Sequence, residues 1–343
     1  MTLPNLGVAI VSFNSGSVIL DCLESLLASQ NVRLNIVVVD NKSSDDTVAM
    51  LRSWADGSAP YRNPGDLPFD LQTAAKPLPL DGQATGEIGH RVQLIEAEIN
   101  GGFAAGVNLG LAALAEDETL DRFWILNPDS AVPATTAAAF ATSPAPDFSM
   151  IGGRVLYLDD PDRIQIDGGT INKKTGVTNN INQGQSHADT PSPKVADMDF
   201  ITGASMVVSR AFYEAAGPMP ESYFLYYEEV DWALKRGDMP MYYCPDGVVY
   251  HRAGTSIGSV TPWRPAAPFS QYFLHRNRVR FVRKFFPKSV TVALGFSVAK
   301  AAKLLLKGYP VEAFTILSAS FGGRPSAKIR ARVAEAAQDL AFK

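Results

Sequence analysis

The opening alternation of apolar runs and amphipathic segments constrains this chain more than any other feature. Residues 8–13 are a short apolar run rich in β-branched side chains, and Val18, Cys22, Leu23 and Leu26 follow at helical spacing. Residues 36–40 repeat the apolar run and end in a carboxylate, Asp40. Ser43, Ser44 and Asp45 then supply N-cap chemistry for a helix through Met50 and Leu51. Strands that are apolar throughout, each followed by a helix, belong to a parallel sheet covered on both faces. Ligands of such sheets sit at the carboxyl ends of the strands, which makes the polar residues ending these two, Asn14 and Asp40, candidates for binding.

Further on, residues 55–89 are rich in Pro, Gly and Asp and lack a period, so they predict a long surface insertion. Residues 92–97, 123–126, 151–158 and 200–209 predict strands; 109–115, 211–216 and 230–236 predict helices. The polar stretch 159–197 predicts a hairpin and a mobile loop. Beyond residue 263 the pattern becomes aromatic-basic (269–286), then apolar-basic (290–306), with a last short helix at 328–340. The expected division is therefore a catalytic domain over 1–263, with halves at about 1–130 and 131–263, and a basic helical extension over 264–343.

Charge follows the same boundary. The extension holds fifteen Lys and Arg against three Asp and Glu, whereas the body holds sixteen against thirty-two. A basic tail on an acidic body suits an anionic partner such as phospholipid, lipid pyrophosphate or nucleic acid, or simply docks on its own body. Cys22 and Cys244 read as small buried hydrophobes with no call for an oxidising compartment. No leader-like n-region precedes the first strand, and Lys300 and Lys303 interrupt the longest apolar stretch, so no membrane span is expected. The expected location is the cytoplasm, with peripheral attachment to the inner face of the cell membrane left open.

Four features could carry chemistry. Asn127-Pro128-Asp129-Ser130 follows a buried strand, where a carboxylate is placed to bind a hard divalent cation, Mg²⁺ or Mn²⁺; the same four residues are also ordinary turn chemistry. Glu228, Glu229 and Asp231 cluster at a helix start among Tyr223, Phe224, Tyr226 and Tyr227. Carboxylates at a helix N-terminus are stabilised by the macrodipole, but aromatic neighbours desolvate them and raise their pKa, as a general base requires. His251 ends a strand and could ligate a metal or be structural. The glycine-rich stretch 100–108 opens a helix with backbone N–H groups able to approach a phosphate.

In this order, the segments Val-Ser-Phe-Asn (11–14), Val-Val-Asp-Asn-Lys-Ser-Ser-Asp (38–45), Asn-Gly-Gly-Phe-Ala-Ala-Gly-Val-Asn (100–108), Leu-Asn-Pro-Asp (126–129), Thr-Gly-Ala-Ser-Met (202–206), Phe-Leu-Tyr-Tyr-Glu-Glu-Val-Asp-Trp (224–232) and His251 resemble glycosyltransferase family 2. Within that family the chain is most similar to bacterial rhamnosyltransferases of surface-polysaccharide assembly, and galactofuranosyltransferases share much of the pattern. The resemblance implies a GT-A fold: an α/β protein with a Rossmann-like, mostly parallel central sheet flanked by helices. It implies a donor site of Ser12, Asn14, Asp40, Asn100, Gly102, Phe103, Asn108 and Asn127, and a metal held by Asp129 and His251. Glu229 matches the general base, and Gly203, Ala204, Glu228, Asp231 and Trp232 fall in the acceptor region. Asn127 replaces the first acidic residue of the family's Asp-x-Asp motif, and Glu229 replaces the usual Asp.

The implied partners are a dTDP- or UDP-sugar donor and a glycan or polyprenyl-pyrophosphate-linked acceptor. No nucleic-acid partner is expected, while an anionic membrane surface and a homo-oligomer stay open. Rival readings are a nucleotidyltransferase, which would need a basic triphosphate loop that residues 8–17 lack, and a non-catalytic carbohydrate-binding or scaffold protein.

Overall fold

A computed structural model describes residues 3–252 and 266–343. The expected boundary at 263/264 lies outside the described residues. The described residues form twelve strands: β1 (Asn5–Ser12), β2 (Arg33–Asp40), β3 (Asp81–Thr85), β4 (His90–Glu96), β5 (Arg122–Leu126), β6 (Ser130–Ala131), β7 (Met150–Tyr157), β8 (Ile164–Ile166), β9 (Gly169–Ile171), β10 (Thr178–Asn180), β11 (Ser205–Ser209) and β12 (Met241–His251). The helices are α1 (Ile19–Leu27), α2 (Thr47–Asp56), α3 (Phe103–Ala115), α4 (Thr136–Thr142), α5 (Arg210–Ala216), α6 (Glu228–Ala233), α7 (Pro268–Phe285), α8 (Val290–Leu306), α9 (Pro310–Ser320), α10 (Ala327–Arg330) and α11 (Glu335–Phe342).

The main sheet runs β3-β4-β2-β1-β5-β11-β7-β12-β6, with β8 paired to β7. Its first half is parallel: β4, β2, β1 and β5 align with in-register pairs such as Ser12 with Asp40. The second half is mixed, because β11 enters antiparallel between β5 and β7. The sheet is thus parallel across β4, β2, β1 and β5, with an antiparallel edge strand β3, and mixed beyond β5.

One face packs Ile10, Ile36 and Val38 against Cys22, Leu23, Leu26 and Trp54 of α1 and α2. The other packs Val37, Val39 and Ile125 against α3, α6 and α7. Close approach of α3 to β1 depends on glycine: a Cβ at Gly106 would lie 2.5 Å from a methyl of Val11. Both cysteines are buried and free.

Several elements differ from the sequence reading. Helix α3 begins at Phe103, six residues before the apolar period is visible. The predicted strand over 200–209 shortens to β11, since residues 202–205 form a turn in which Ser205 N donates to Thr202 O (3.2 Å) and Ala204 N to Thr202 Oγ1 (3.3 Å). Helices α4 and α9 were not anticipated, and 328–340 splits into α10 and α11. The insertion carries edge strand β3 and is tied down by Glu24, which accepts from Trp54 Nε1 (2.7 Å), Ala74 N (2.7 Å) and Lys76 Nζ (2.9 Å).

The extension departs most. Helix α7 turns two of its four arginines inward: Arg276 is 5% exposed, Arg278 is 2% exposed, and Phe273 and Phe281 are fully buried. Phe281 and Val282 share the core of the sheet. Of the two readings of the basic extension, docking on its own body describes Arg276 and Arg278, which donate to the Tyr223 and Thr175 carbonyls. Helix α8 behaves differently. Val292, Val298, Leu305 and Leu306 stay exposed, and the 20-residue segment Pro287–Leu306 is long and apolar enough, by length and composition, to cross a membrane. That corrects the expectation that Lys300 and Lys303 exclude such a stretch.

Candidate active site

The site gathers at the carboxyl ends of β2, β1 and β5. Asp40 is buried and accepts from Ser43 N (2.9 Å) and Ser43 Oγ, so its carboxylate is oriented by the turn that leads into α2. Asn14, at φ 51°, is held by Ser44 N donating to its Oδ1 (2.8 Å). Ser12 lies beside Asp40 in register, its Oγ buried and without a hydrogen-bond partner among the described residues.

The next residue, Asn41, was missed by sequence reasoning although it directly follows the strand-end Asp40. It is buried, and its Nδ2 donates to Asn100 Oδ1 (3.1 Å) and Gly102 O (2.9 Å), which fixes the glycine-rich loop. Gly102 sits at φ 89°, and a Cβ there would lie 2.3 Å from Phe224 O. Glycine is therefore required both by the backbone conformation and by the close approach. Phe103 N donates to that same Phe224 O (3.0 Å). The Asn108 amide instead bonds Met219 on both sides (3.0 and 2.8 Å) and Glu221 (2.8 Å), so this side chain braces the loop before α6.

At the end of β5, Asn127 N donates to Ala204 O (3.0 Å). Asp129 Oδ1 lies 3.0 Å from His251 Nε2, and Asn127 Nδ2 lies 3.1 Å from the same nitrogen. Gln165 Oε1 is 2.9 Å from His251 Nδ1, a contact with no local sequence signal. In the tautomer whose Nδ1 donates to Gln165, His251 Nε2 accepts from Asn127 Nδ2 and lies beside the Asp129 carboxylate, so an imidazole and a carboxylate converge on one point. One carboxylate and one imidazole suit a Mg²⁺- or Mn²⁺-type ion that shares its remaining positions with phosphate oxygens. Among the described residues no third His, Cys, Asp or Glu joins them. The insertion walls this end: Asp66 pairs with Arg252 (2.6 Å), and Phe69 packs on Tyr250 (ring centroids 5.7 Å).

Opposite stands the start of α6. A Cβ on Gly203 would lie 3.2 Å from the Phe103 ring and 3.8 Å from Glu229 Cβ, so these three residues adjoin. Burial raises the Glu229 carboxyl above the ordinary range. Glu228 is buried, one carboxyl oxygen lacks a hydrogen-bond partner among the described residues, and burial together with the neighbouring Glu229 charge raises it further. The two other acceptor candidates on α6 face inward. Asp231 is fully buried and accepts from Tyr223 Oη (2.8 Å) and Lys284 Nζ (2.6 Å). Trp232 is 0% exposed and donates from its indole to Gly217 O (2.9 Å), so it has no surface on which an acceptor could sit and instead packs the helix against Phe212.

The turn into α6 is unusual: Phe224, Tyr226 and Tyr227 have φ of 66°, 67° and 77°. Side chains rarely adopt this region, so neighbours must hold it. Asn277 of α7 does so, donating to Tyr223 O (2.8 Å), Leu225 O (2.7 Å) and Tyr226 O (3.2 Å), and Arg276 also donates to Tyr223 O (3.1 Å).

Comparison with known proteins gives this geometry a class. The fold is the GT-A fold of glycosyltransferases, and the chain is a glycosyltransferase. Residues 7–65 match the model of Glycosyl transferase family 2. The chain is 22% identical over 267 residues to Low-salt glycan biosynthesis hexosyltransferase Agl10 of Haloferax volcanii, covering 75% of this chain and 78% of that one. The mannosyltransferase PcManGT from Pyrobaculum calidifontis, solved in complex with GDP-Man and Mn2+, overlays with a TM-score of 0.50 and 15% identity, across 93% of this chain and 86% of that chain.

Proposed function

We propose that this chain is an inverting hexosyltransferase that moves a sugar from a nucleoside diphosphate to a hydroxyl of a glycan or lipid-linked saccharide. The observation that carries this reading is that the Gly203–Ala204 backbone adjoins both Glu229 and Asn127, the residue beside the Asp129–His251 pair. Asp40, Asn14 and the loop pinned by Asn41 border the nucleoside, and Phe103 and Gly203 line the floor between donor and acceptor. Asp129 and His251 would hold a divalent cation, which when bound neutralises the diphosphate and stabilises the leaving group. Glu229 takes the proton from the acceptor hydroxyl as it attacks the anomeric carbon from the opposite face. Its raised pKa suits this role, since a base works best when its pKa approaches the working pH. Residues 1–263 form the catalytic unit, and 264–343 form an extension that closes it through α7.

The donor we favour is dTDP-L-rhamnose, on the strength of the Leu126–Asp129 and Tyr227–Asp231 segments. A UDP-hexose, galactofuranose included, is the second reading. The test is turnover against a panel of nucleotide sugars with Mn²⁺, for the natural chain and for Glu229→Gln and Asp129→Ala. Glu229→Gln is expected to lower turnover about 10²–10⁴-fold with donor affinity little changed. Asp129→Ala is expected to lose metal-dependent binding of the nucleoside diphosphate. Near-normal turnover in Glu229→Gln would move the base elsewhere, and unchanged metal-dependent affinity in Asp129→Ala would remove the metal assignment.

A further inference from the structure

A second concave site lies on the far side of α7 from the sheet core. It is a cavity of about 570 Å³ between α7, the α9–α10 turn and α11, and its walls carry Arg276, Arg280, Arg283, Arg324, Arg330 and Lys343. No Asp or Glu side chain lines it. Among the described residues none of the six cations makes a salt bridge with an Asp or Glu. Arg276 donates to Ala341 O (2.6 Å), Arg280 to Ser222 O (3.2 Å) and to Lys343 O, and Arg330 to Gln338 Oε1 (2.7 Å). The Ala341, Ser222 and Gln338 oxygens are neutral acceptors, which orient the guanidinium groups without cancelling their charge, whereas the carboxyl oxygen of Lys343 offsets part of the charge of Arg280.

A cavity of nearly equal volume, about 560 Å³, lies beside β1 and α3 and supplies a contrast. There Arg33 and Arg91 are opposed by Glu116 and Asp117. Of these two cavities, the α7 cavity concentrates one sign of charge in a partly enclosed space, where low-dielectric walls strengthen attraction for a counter-ion. Burial, and secondarily the Arg280 charge, push Arg276 down to about 10, so it still carries its charge at neutral pH.

The turn that completes the cavity is rigid. Gly322 takes φ 79°, Gly323 N donates to Ser318 O (2.7 Å), Tyr272 Oη donates to Gly323 O (3.3 Å), and Ser318 Oγ donates to Arg324 O (3.1 Å). The Arg324 backbone is therefore fixed at the rim, and its side chain is exposed. Phe321, one residue before Gly322, is 57% exposed, and Phe314, about two helical turns earlier on α9, is 64% exposed. A cationic cavity thus opens beside an apolar rim.

We propose that this cavity binds a phosphate or pyrophosphate group, held by guanidinium pairs in the bidentate manner arginine favours. Planar guanidinium forks match phosphate oxygens in geometry and charge, and several around one cavity select a doubly or more highly charged anion over a chloride-sized ion. A lipid headgroup and a free phosphorylated molecule present the same chemistry. The apolar rim at Phe314 and Phe321 would seat acyl chains in the first case.

The experiment uses the full chain without divalent cation, so that the candidate metal site does not contribute. Inorganic pyrophosphate is titrated by calorimetry into the natural chain and into Arg283→Gln/Arg324→Gln. Both arginines are exposed and make no side-chain hydrogen bond or ion pair among the described residues, so the variant keeps its fold. Binding to the natural chain that weakens by about tenfold or more in the variant supports the site. No binding to the natural chain, or equal affinity in the variant, overturns it. A second arm sediments both proteins with phosphatidylcholine vesicles with and without phosphatidic acid. Sedimentation that needs phosphatidic acid, is displaced by pyrophosphate and is lost in the variant assigns the lipid source. Pyrophosphate binding without sedimentation assigns a free anion.

Discussion

Helices α7 and α8 share a basic-apolar pattern and have opposite fates. Both mix Lys or Arg with large apolar residues at helical spacing, and both suggest an amphipathic surface helix. In α7 several of the cations reach partners in the body. Arg278 donates to Thr175 O and to Ala293 O (3.0 Å), Lys284 pairs with Asp231, and Asn277 and Arg276 hold the left-handed turn before α6. In α8 only Ala293, Ser297 and Ala301 are buried, and the larger residues face outward. A basic-apolar pattern therefore shows that a helix has two kinds of neighbour to satisfy. It does not show whether the cations meet lipid, solvent or the carbonyl groups of a strained turn.

The strongest test of this contrast is Asn277→Leu. Loss of the amide leaves the Leu225 and Tyr226 carbonyls without their side-chain donor in a buried turn, and we expect a destabilisation of about 3 kcal/mol in chemical denaturation. Turnover should fall with it, because the turn positions Glu228 and Glu229. An α7 that merely covered the surface would tolerate the change at little cost.

A smaller effect, with a pH signature, is expected from Glu228→Gln. The folded state raises the Glu228 pKa, so as pH rises from the acid side the unfolded chain loses this proton first, and stability falls until the folded pKa is passed. The glutamine variant lacks that penalty. Its stability should match the natural chain at acid pH, exceed it increasingly as pH rises above the ordinary carboxyl range, and hold a constant gap once the folded group has ionised. Melting curves across pH measure this, and a gap that is independent of pH would show that the carboxyl is not desolvated.

The smallest effect is expected on α8 and α9. Leu306 is 90% exposed, and replacing it and Phe314 by Ser should change stability by no more than about 0.5 kcal/mol. A large loss would show that this face is covered in solution and would bring α8 closer to α7 in kind.

Much of the site was legible because its residues sit where local pattern changes. Asp40 ends an apolar strand, Asp129 follows one, and the acidic run at 228–231 interrupts an aromatic segment, so composition along the chain marks all three. Asn41 was within reach of the same reasoning, since it adjoins Asp40. Gln165 and Asn277 were not, because nothing near them in sequence differs from an ordinary polar residue. Their importance comes from contacts 86 residues away at His251 and 54 residues away at Tyr223. Asp231 and Trp232 stood in a site-like segment, yet helical geometry turns their side chains into the body, and only the packing of Lys284, Tyr223 and Phe212 around them reveals it.

By itself the sequence determined the alternation of strands and helices, the parallel first half of the sheet and the polar residues at its carboxyl edge. These depend on the periods of the strand and the helix and on hydrophobic burial, which act over a few residues at a time. The tertiary structure decided the mixed second half of the sheet, the left-handed turn into α6, the inward arginines of α7 and the cationic cavity behind it. Each of these rests on hydrogen bonds and charges brought together from distant parts of the chain, and a local period carries no information about a partner that only folding brings near.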